Sequence, residues 1–218
     1  MDYCASWSGG KDSCLACYMA MQGGIRISRL VHFDRPNNLH GVDPFMIRIQ
    51  AELARIPIVQ KSVPSIDFER EFKDTVNELK QKGVVGMVFG DIYLEPHKEW
   101  VVRTCSELGV TAEEPLWGRK TKDIIKDFVG LGFETIIASG NQKFIDKRFI
   151  GRKMDDEFIA HLESRNLDVC GENGEFHTFV TGGPLFNGHI EISRSDVTER
   201  DGFWFLEVQD FRLVRHPF

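Results

Sequence analysis

The sequence contains no apolar run that is long enough to cross a membrane. It begins MDYCASWSGG, with an acid at the second position and a glycine pair before any hydrophobic stretch of signal-peptide length, and no later run approaches about 18 apolar residues. Low-complexity tracts and internal repeats are absent too. These absences argue against a membrane protein and against disorder, and we expect a globular protein of the cytoplasm.

Cysteine and positive charge are both scarce. The five cysteines form an odd, unevenly spaced set, which predicts free thiols rather than a disulfide framework. Lys and Arg number 27 against 33 Asp and Glu, so the formal net charge is −6. Because nonspecific nucleic-acid binding depends on clustered Lys and Arg, this balance argues against broad binding to nucleic acid and leaves room for a local site that holds a small anion.

Strand-like and helix-like segments alternate over the first 140 residues. Short apolar segments bounded by Gly, Pro or polar residues have the character of buried strands. Strands that alternate with helices of this length predict right-handed crossovers and a parallel sheet covered on both faces. The predicted strands are CASW, ISRLVHF, IPIVQKSV, VVGMVFGD and TIIAS.

Three helices are predicted between these strands from apolar residues that recur every three or four positions. The second and third end at Gly83 and Gly109, the residue type that most often ends a helix. The predicted buried faces comprise Val42, Phe45, Met46, Ile49, Leu53 and Ile56 in the first helix, Phe68, Phe72, Val76 and Leu79 in the second, and Trp100, Val101, Cys105 and Leu108 in the third.

The pattern changes after about residue 140. A helix with Met154, Phe158, Ile159 and Leu162 on one face leads into LDVCGENGEFHTFVTGGPLF, HIEI and FWFLEV, which are typical of strands and tight turns. We therefore predict a doubly wound, mostly parallel α/β domain at residues 1–133 and a smaller α+β domain at residues 134–218.

The segment SWSGGKDSC at residues 6–14 joins the first predicted strand to a helical pattern. In an open parallel sheet, ligands bind beyond the carboxyl ends of the strands, where helix N-termini present N–H groups. Two glycines let those groups approach an anion closely, a lysine adds positive charge, and two hydroxyls add donors. We expect this turn to be exposed and to bind phosphate through Ser8, Gly9, Gly10, Lys11, Asp12 and Ser13.

The alternative for this turn is an ordinary helix start, with Asp12 near the N-cap and the glycines making a bend. The spacing matches neither GxxxxGK[ST] nor GxGxxG, so transfer of a γ-phosphate and transfer of a hydride both lose support. Asp91 follows the strand VVGMVF and is expected at the same crevice, although a turn acid would occupy the same position.

Other polar residues give weaker signals. Cys14 and Cys17 form a CxxC, but they lie in a predicted helix among apolar residues and no second CxxC completes a zinc set, so we interpret them as packing residues. No structural metal is predicted, because the seven histidines have no tight ligand spacing; they are at positions 32, 40, 97, 161, 177, 189 and 216.

The turn VCGENGEFHTF carries two acids and an imidazole, Glu172, Glu175 and His177. These groups can orient ammonium, deprotonate it, or hold a cationic substrate group. The alternative is a solvated hairpin loop in which Gly171 and Gly174 serve geometry alone. In the same half of the chain, Arg152 and Lys153 of FIGRKMD can neutralise a phosphate or a carboxylate, or be ordinary exposed basic residues.

SGGKDS resembles the pyrophosphate-binding loop of the N-type ATP pyrophosphatases, which split ATP between its α and β phosphates. Together with VFGDI, PLW, FIGRKMD and VCGENGEFHTFVTGGPLF, it makes the chain resemble the diphthine–ammonia ligase family over nearly its full length. In that family the last motif commonly reads GEGGEYET. This chain departs from it at Asn173, Phe176 and His177, and His177 stands where the family has an acid.

The resemblance implies an adenine nucleotide alpha hydrolase-like fold and an AMP-forming ligase that adenylylates a carboxylate and transfers ammonia to it. It implies ATP with Mg²⁺, bound by the turn at residues 8–13 and by Asp91. The catalytic residues would be Lys11, Asp12, Glu172, Glu175 and His177, and the substrate would contact Gly151, Arg152, Asp155, Glu172 and Glu175.

The implied substrate is diphthine on elongation factor 2 if the source is archaeal or eukaryotic. Because the two predicted domains account for the whole chain, no glutaminase domain is expected, and ammonium would come from solution or from a partner. A homo-oligomer is possible. There are three alternatives. The first is amidation of a small-molecule carboxylate, as in cobalamin salvage. The other two are a tRNA-thiolating enzyme that uses cysteines and a nucleotide-binding sensor without catalysis.

Overall fold

The computed structural model describes residues 1–36 and 39–215, so His216 lies outside the described residues. The strands, in chain order, are β1 (Asp2–Ser6), β2 (Arg26–Asp34), β3 (Ile58–Ser62), β4 (Val84–Val88), β5 (Thr111–Glu113), β6 (Glu134–Asn141), β7 (Phe176–Gly182), β8 (Gly188–Arg200) and β9 (Phe203–Arg215). The helices are α1 (Lys11–Gln22), α2 (Pro44–Ala54), α3 (Phe68–Lys80), α4 (Glu95–Leu108), α5 (Thr121–Gly130) and α6 (Asp156–Ser164).

The chain forms two compact units that are discontinuous in sequence. The first contains β1 to β5, most of α1, and α3 and α4. The second contains residues 9–11, α2, and everything from α5 onward. The expected border between residues 133 and 134 stays a prediction, and α5, which precedes it, belongs to the second unit.

The first unit contains a five-stranded parallel sheet in the order β3-β2-β1-β4-β5. The chain runs outward from β1 to β3 and then returns to β4 on the other side of β1, so the strand order reverses between β1 and β4. Ligands of open α/β sheets bind at such a reversal, beyond the carboxyl ends of the two strands. The segments that follow β1 and β4 therefore lie where the sequence analysis expected the phosphate turn and Asp91.

Apolar side chains from α3, α4 and β4 form the core on one face of this sheet. Phe72, Met87 and Val101 are each at most 2% exposed, and the aromatic ring of Trp100 meets that of Phe72 edge-on at 4.9 Å. The C-terminal end of α4 matches its prediction, because Gly109 has φ 61 and its N–H closes the last turn. The spacing of apolar residues thus predicted both helices, although α3 ends at Lys80 and not at Gly83.

The second unit contains a four-stranded sheet in the order β7-β6-β9-β8. Its neighbouring strands are antiparallel, and β8 and β9 form a hairpin that pairs from Gly188 opposite Arg215 to Arg200 opposite Phe203. Strand β7 lies at one edge of this sheet. The predicted fold class, a mostly parallel α/β sheet with a smaller α+β region, is confirmed.

Several local predictions were wrong. TIIAS belongs to β6, which pairs antiparallel in the second sheet, and the fifth parallel strand is TAE of β5. A continuous run of buried apolar residues fits a parallel or an antiparallel sheet equally well, and a strand of three residues is too short to show an alternation of apolar and polar residues.

In α2, Phe45 is 47% exposed and Val42 precedes the helix, which begins at Pro44 with Asp43 as its cap. Met154 likewise precedes α6, and α5 was not predicted.

All five cysteines carry free thiols and are buried, which confirms the prediction from their count and spacing. In the described ranges, the structure has no helix long and apolar enough to span a membrane.

Candidate functional site

The Gly9–Gly10–Lys11 segment of the phosphate turn packs against α2. Gly9 has φ +80, a conformation that favours glycine. A Cβ atom added there would lie 2.5 Å from Ile47 Cδ1 and 2.6 Å from Gln50 Oε1. Glycine is therefore favoured at position 9 by backbone conformation, and a larger residue would also have to displace the ends of the Ile47 and Gln50 side chains.

The same segment is hydrogen-bonded to the edge strand β7. Val180 N donates to Gly9 O at 2.9 Å, and Lys11 N donates to Thr178 Oγ1 at 3.0 Å. Positions 9 and 11 of the turn thus contact positions 180 and 178 of the strand, with the two-residue spacing of a strand edge. Residues 9–11 of the turn and the C-terminal motif, which are far apart in sequence, are parts of one unit.

Gln50 of α2 completes this connection and was missed by the sequence analysis. Its side chain is 0% exposed, and its Nε2 donates to Gly9 O at 2.9 Å and to Val180 O at 2.7 Å. The available signal was a polar residue within the apolar stripe of a helix, between Met46 and Leu53. Such a residue needs hydrogen-bond partners in the core, because an unpaired buried amide is destabilising.

Lys11 is buried, as are Gly9, Gly10 and Ser13, so the expectation of an exposed turn is wrong. The Lys11 side chain is 3% exposed, its ammonium group donates to the Cys170 carbonyl, and the nitrogen lies 5.4 Å from the centre of the Phe176 ring. An ammonium group has three donors, so the bond to Cys170 uses one of them. Lys11 of the SGGKDS motif is thus hydrogen-bonded to the backbone of the C-terminal motif.

The turn at residues 168–175 is organised by two carboxylates. Asp168 accepts from Cys170 N at 3.0 Å and from Glu172 N at 3.3 Å. Glu175, which is buried, accepts from Asp168 N at 3.3 Å and from Asn173 N at 3.0 Å and Nδ2 at 3.2 Å. The Glu175 carboxylate is therefore engaged with its own turn, whereas the side chain of Glu172 is half-buried. Asp168 was missed by the sequence analysis.

His177 lies at the start of β7, opposite Ser139 of β6. Burial, and then the positive charge of Lys11, lower the pKa of His177 to about 4, so its imidazole is neutral at neutral pH. Its Nε2 is buried and has no hydrogen-bond partner among the described residues. The ring centre of His40, another residue that the sequence analysis did not single out as functional, lies 4.5 Å from that of His177.

In the first unit, the remaining residues of the turn lie beside the segment that follows β4. The hydroxyls of Ser8 and Ser13 are 3.2 Å apart. A Cβ atom added to Gly90 would lie 2.9 Å from the backbone of Asp12 and Ser13, so the glycine of VFGDI permits close approach to the start of α1. The next residue, Asp91, is hydrogen-bonded to His97, with 3.1 Å between Asp91 Oδ1 and His97 Nδ1.

The segment proposed to contact the substrate is held by α6. Gly151 has φ 81 and donates its N–H to Ile137 O at 2.8 Å. Arg152 donates to Asp155 at 3.1 Å and to Glu157 at 2.8 Å, and these carboxylates raise the pKa of its guanidinium. Asp155 also caps α6, because its Oδ1 accepts from Phe158 N at 2.9 Å. Arg152 and Asp155 thus bind each other and the helix start.

The cysteine pair lies in the interior of the first unit. Cys14 and Cys17 are 0% exposed, and burial raises the pKa of Cys14 well above its usual value and that of Cys17 to about 12. Such thiols stay protonated at neutral pH, so they are poor nucleophiles and poor ligands. Within residues 1–36 and 39–215, no group of three or more His, Cys, Asp and Glu side chains is arranged to hold a metal ion.

Comparison with known proteins gives two consecutive family matches. Residues 1–112 match the diphthamide synthase N-terminal domain, and residues 120–215 match the diphthamide synthase C-terminal domain. Diphthine–ammonia ligases of Bos taurus and Homo sapiens are each 24% identical to the chain, over 95% of its length and 88% of theirs. The diphthine–ammonia ligase of Schizosaccharomyces pombe is 22% identical over 88% of the chain and 36% of its own length.

A solved structure from Methanocaldococcus jannaschii, titled as a predicted subunit of tRNA methyltransferase, aligns with 84% of this chain and 98% of its own, at 15% identity and a TM-score of 0.47.

The two family matches leave only a short connection between residues 112 and 120. They coincide with the two motif-bearing halves of the sequence, SGGKDS in the first and VCGENGEFHTF in the second. The chain belongs to the diphthamide synthase family.

Proposed function

We propose that this protein is an AMP-forming ligase that adenylylates a substrate carboxylate with ATP and then transfers ammonia to the activated carbonyl. The support is membership in the diphthamide synthase family, whose curated relatives are named diphthine–ammonia ligases. The observation that carries the proposal is the pair of bonds from Gly9 and Lys11 to Val180 and Thr178, which join the phosphate turn to the C-terminal motif.

The residues of the turn suit a nucleotide phosphate. α1 begins at Lys11, and a helix N-terminus favours an anion through its N–H groups and its dipole. The neighbouring hydroxyls of Ser8 and Ser13 add donors. In the proposal, residues 8–13 and Asp91 hold ATP, and Mg²⁺ bound with the nucleotide neutralises part of its charge. Lys11, fixed by the Cys170 carbonyl, stabilises the charge that builds on the departing pyrophosphate.

The C-terminal turn is proposed to serve the ammonia step. A neutral imidazole accepts a hydrogen bond, so the buried Nε2 of His177 is suited to orient ammonia or ammonium. Glu172 supplies a carboxylate for the same purpose. Glu175 shapes the turn through its bonds to Asp168 and Asn173. The proposed substrate contact of Arg152 requires it to exchange Asp155 and Glu157 for a carboxylate of the substrate.

The proposed substrate is diphthine on elongation factor 2, with ammonium from solution or from a partner. Amidation of a small-molecule carboxylate uses the same two half-reactions. A thiol-dependent tRNA-modifying enzyme is disfavoured by Cys14 and Cys17, because both thiols are buried and have raised pKa values. A sensor that binds ATP without turnover is distinguished by experiment.

The test is a product assay with α-labelled ATP, ammonium and elongation factor 2 that carries diphthine. AMP and pyrophosphate should form in equal amounts, only with the carboxylate present, and ammonium should be consumed one for one with AMP. Glutamine should not replace ammonium. ADP and phosphate as the main products would overturn the reaction class, and tight ATP binding without turnover on any carboxylate would support a sensor.

A further inference from the structure

We infer that Gln50 is a positioning residue for the phosphate turn, and that its side-chain amide sets the direction of the backbone N–H group that follows Gly9. This inference rests on the proposed function, because it assigns Gln50 a part in nucleotide binding. Neither the motifs nor the family resemblance includes Gln50, and its place was seen only in the packing of α2 against the turn.

Gln50, Gly9 and Val180 are linked by three hydrogen bonds. Gln50 Nε2 donates to Gly9 O at 2.9 Å and to Val180 O at 2.7 Å, and Val180 N donates to Gly9 O at 2.9 Å. The amide nitrogen of one side chain therefore contacts two main-chain carbonyls, and the Gly9 carbonyl accepts two bonds. Both carbonyls lie in the second unit, as does Gln50.

The consequence for the turn follows from the planarity of the peptide unit. The Gly9 carbonyl and the Gly10 N–H belong to one rigid trans peptide, so they point in opposite directions. Holding the carbonyl against Gln50 and β7 aims the Gly10 N–H away from them. A Gly-Gly peptide has more rotational freedom than any other, so without these bonds this N–H group would sample several directions.

Apolar packing in the core does not by itself explain a glutamine at this position. Met46, Ile49 and Leu53 on the same helix are buried apolar residues, and a leucine in place of Gln50 would match them. A buried amide is tolerated only when its polar atoms are paired. Glutamate would not replace Gln50 in this role, because its carboxylate has no N–H donor and would place negative charge against two carbonyl oxygens.

The test compares three variants by ATP titration and by steady-state turnover. Gln50→Leu introduces an apolar side chain of similar size and removes the two bonds that Nε2 donates, so ATP affinity should fall and the KM for ATP should rise about tenfold, with a smaller change in kcat. Ile49→Ala is the matched control, since it removes a buried side chain one position earlier without removing a hydrogen bond. It should lower the melting temperature and leave ATP affinity within about twofold of wild type.

Gln50→Glu supplies a readout that loss of stability does not produce. A buried carboxyl group facing carbonyl oxygens has a raised pKa, and its neutral form donates one hydrogen bond. The ATP affinity of Gln50→Glu, divided by that of wild type at the same pH, should therefore rise severalfold from about pH 8 to about pH 6. The same ratio for Ile49→Ala should stay constant.

The inference is overturned if folded Gln50→Leu binds ATP as tightly as Ile49→Ala, or if the Gln50→Glu ratio does not depend on pH. If Gln50→Leu fails to fold, the pH dependence of Gln50→Glu decides. Absence of ATP binding by the wild-type protein would overturn the proposed function together with this inference, whereas normal wild-type turnover with unaffected variants overturns the inference alone.

Discussion

The two sheets of this protein differ in topology and in what each can do for a turn. The parallel sheet of the first unit has a strand order that reverses between β1 and β4, and ligands of open α/β sheets bind beyond the carboxyl ends of the strands at such a reversal. The antiparallel sheet of the second unit has an edge strand, β7, whose backbone and Thr178 bind residues 9–11. Parallel topology thus predicts which turn binds a ligand, whereas hydrogen bonds to an edge strand determine the conformation of residues 9–11.

Lys11→Ala has the largest expected effect, because Lys11 joins the turn to the C-terminal motif and carries the charge proposed to act on pyrophosphate. Turnover should fall about a thousandfold, as for loss of one strong stabilising donor at a developing anion. The melting temperature should also fall, since Lys11 is buried. Lys126→Ala, a change at an exposed lysine of α5, is the control. Wild-type kcat in folded Lys11→Ala would contradict the assignment.

Gly9→Ala tests whether the turn conformation depends on contact with α2. Gly9 has φ +80 and an added Cβ atom would have to displace the ends of the Ile47 and Gln50 side chains, so the substitution should destabilise the fold by about 3 kcal/mol. Gly24→Ala is the matched control, because Gly24 has φ +88 and nothing within 4 Å of an added Cβ atom. Its cost should be about 1 kcal/mol, from the backbone alone. Equal losses of stability in urea unfolding would refute the steric argument.

Each unit contains a histidine with a lowered pKa, and the pH dependence of the two can be compared. The pKa of His177 is about 4 in the folded protein against 6.5 for an ordinary histidine, so between these values the unfolded chain binds more protons. The stability that neutral His177 contributes is complete above about pH 6.5 and is lost as the pH falls toward 4, by up to about 3 kcal/mol.

His177→Gln should reduce this loss of stability in urea unfolding between pH 7 and pH 4.5. His32→Gln is the comparison in the first unit, because burial also lowers the pKa of His32. An unchanged pH dependence in His177→Gln would show that His177 titrates normally.

Glu175→Gln separates the two half-reactions. The substitution removes the negative charge that accepts from Asp168 N and from Asn173, so the turn should loosen and amide formation should fall about tenfold to a hundredfold. Binding of ATP should stay within about twofold of wild type. The measurement is labelled-product formation read beside a nucleotide titration, and an equal loss of both would place Glu175 in the nucleotide site instead.

Cys14→Ala and Cys17→Ala have the smallest expected effect. Both thiols are buried in α1, so each substitution should cost roughly 1 kcal/mol of stability and leave turnover substantially intact. The double mutant should behave as the two single mutants combined, by thermal unfolding and by product assay. Loss of turnover in a folded double mutant would favour the thiol-dependent alternative.

The alternation of apolar strands with helical spacing was enough to predict β1 to β4, α3 and α4, because these signals lie within short windows of sequence. It failed for TIIAS, since a buried run does not reveal whether its partners are parallel or antiparallel. It also failed for β5, which is three residues long. The phosphate turn was singled out from its residue types and the C-terminal motif from its residue types together with the family resemblance. Gln50 and His40 were not singled out, because their contacts depend on distant segments. Asp168 was missed although its hydrogen-bond partners lie in its own turn.

The residues alone predict what chemistry is present: a glycine-rich turn with hydroxyls and a lysine after a strand, and an acid-rich glycine turn near the end of the chain. These follow from backbone freedom and side-chain type, which are local properties. Only the tertiary structure decides that Lys11 is buried and bound to the Cys170 carbonyl, that Gly9 lies between Ile47 and β7, and that Glu175 is engaged with its own turn. These depend on pairing of an edge strand with a turn about 170 residues earlier, and such pairing leaves no periodic trace in sequence.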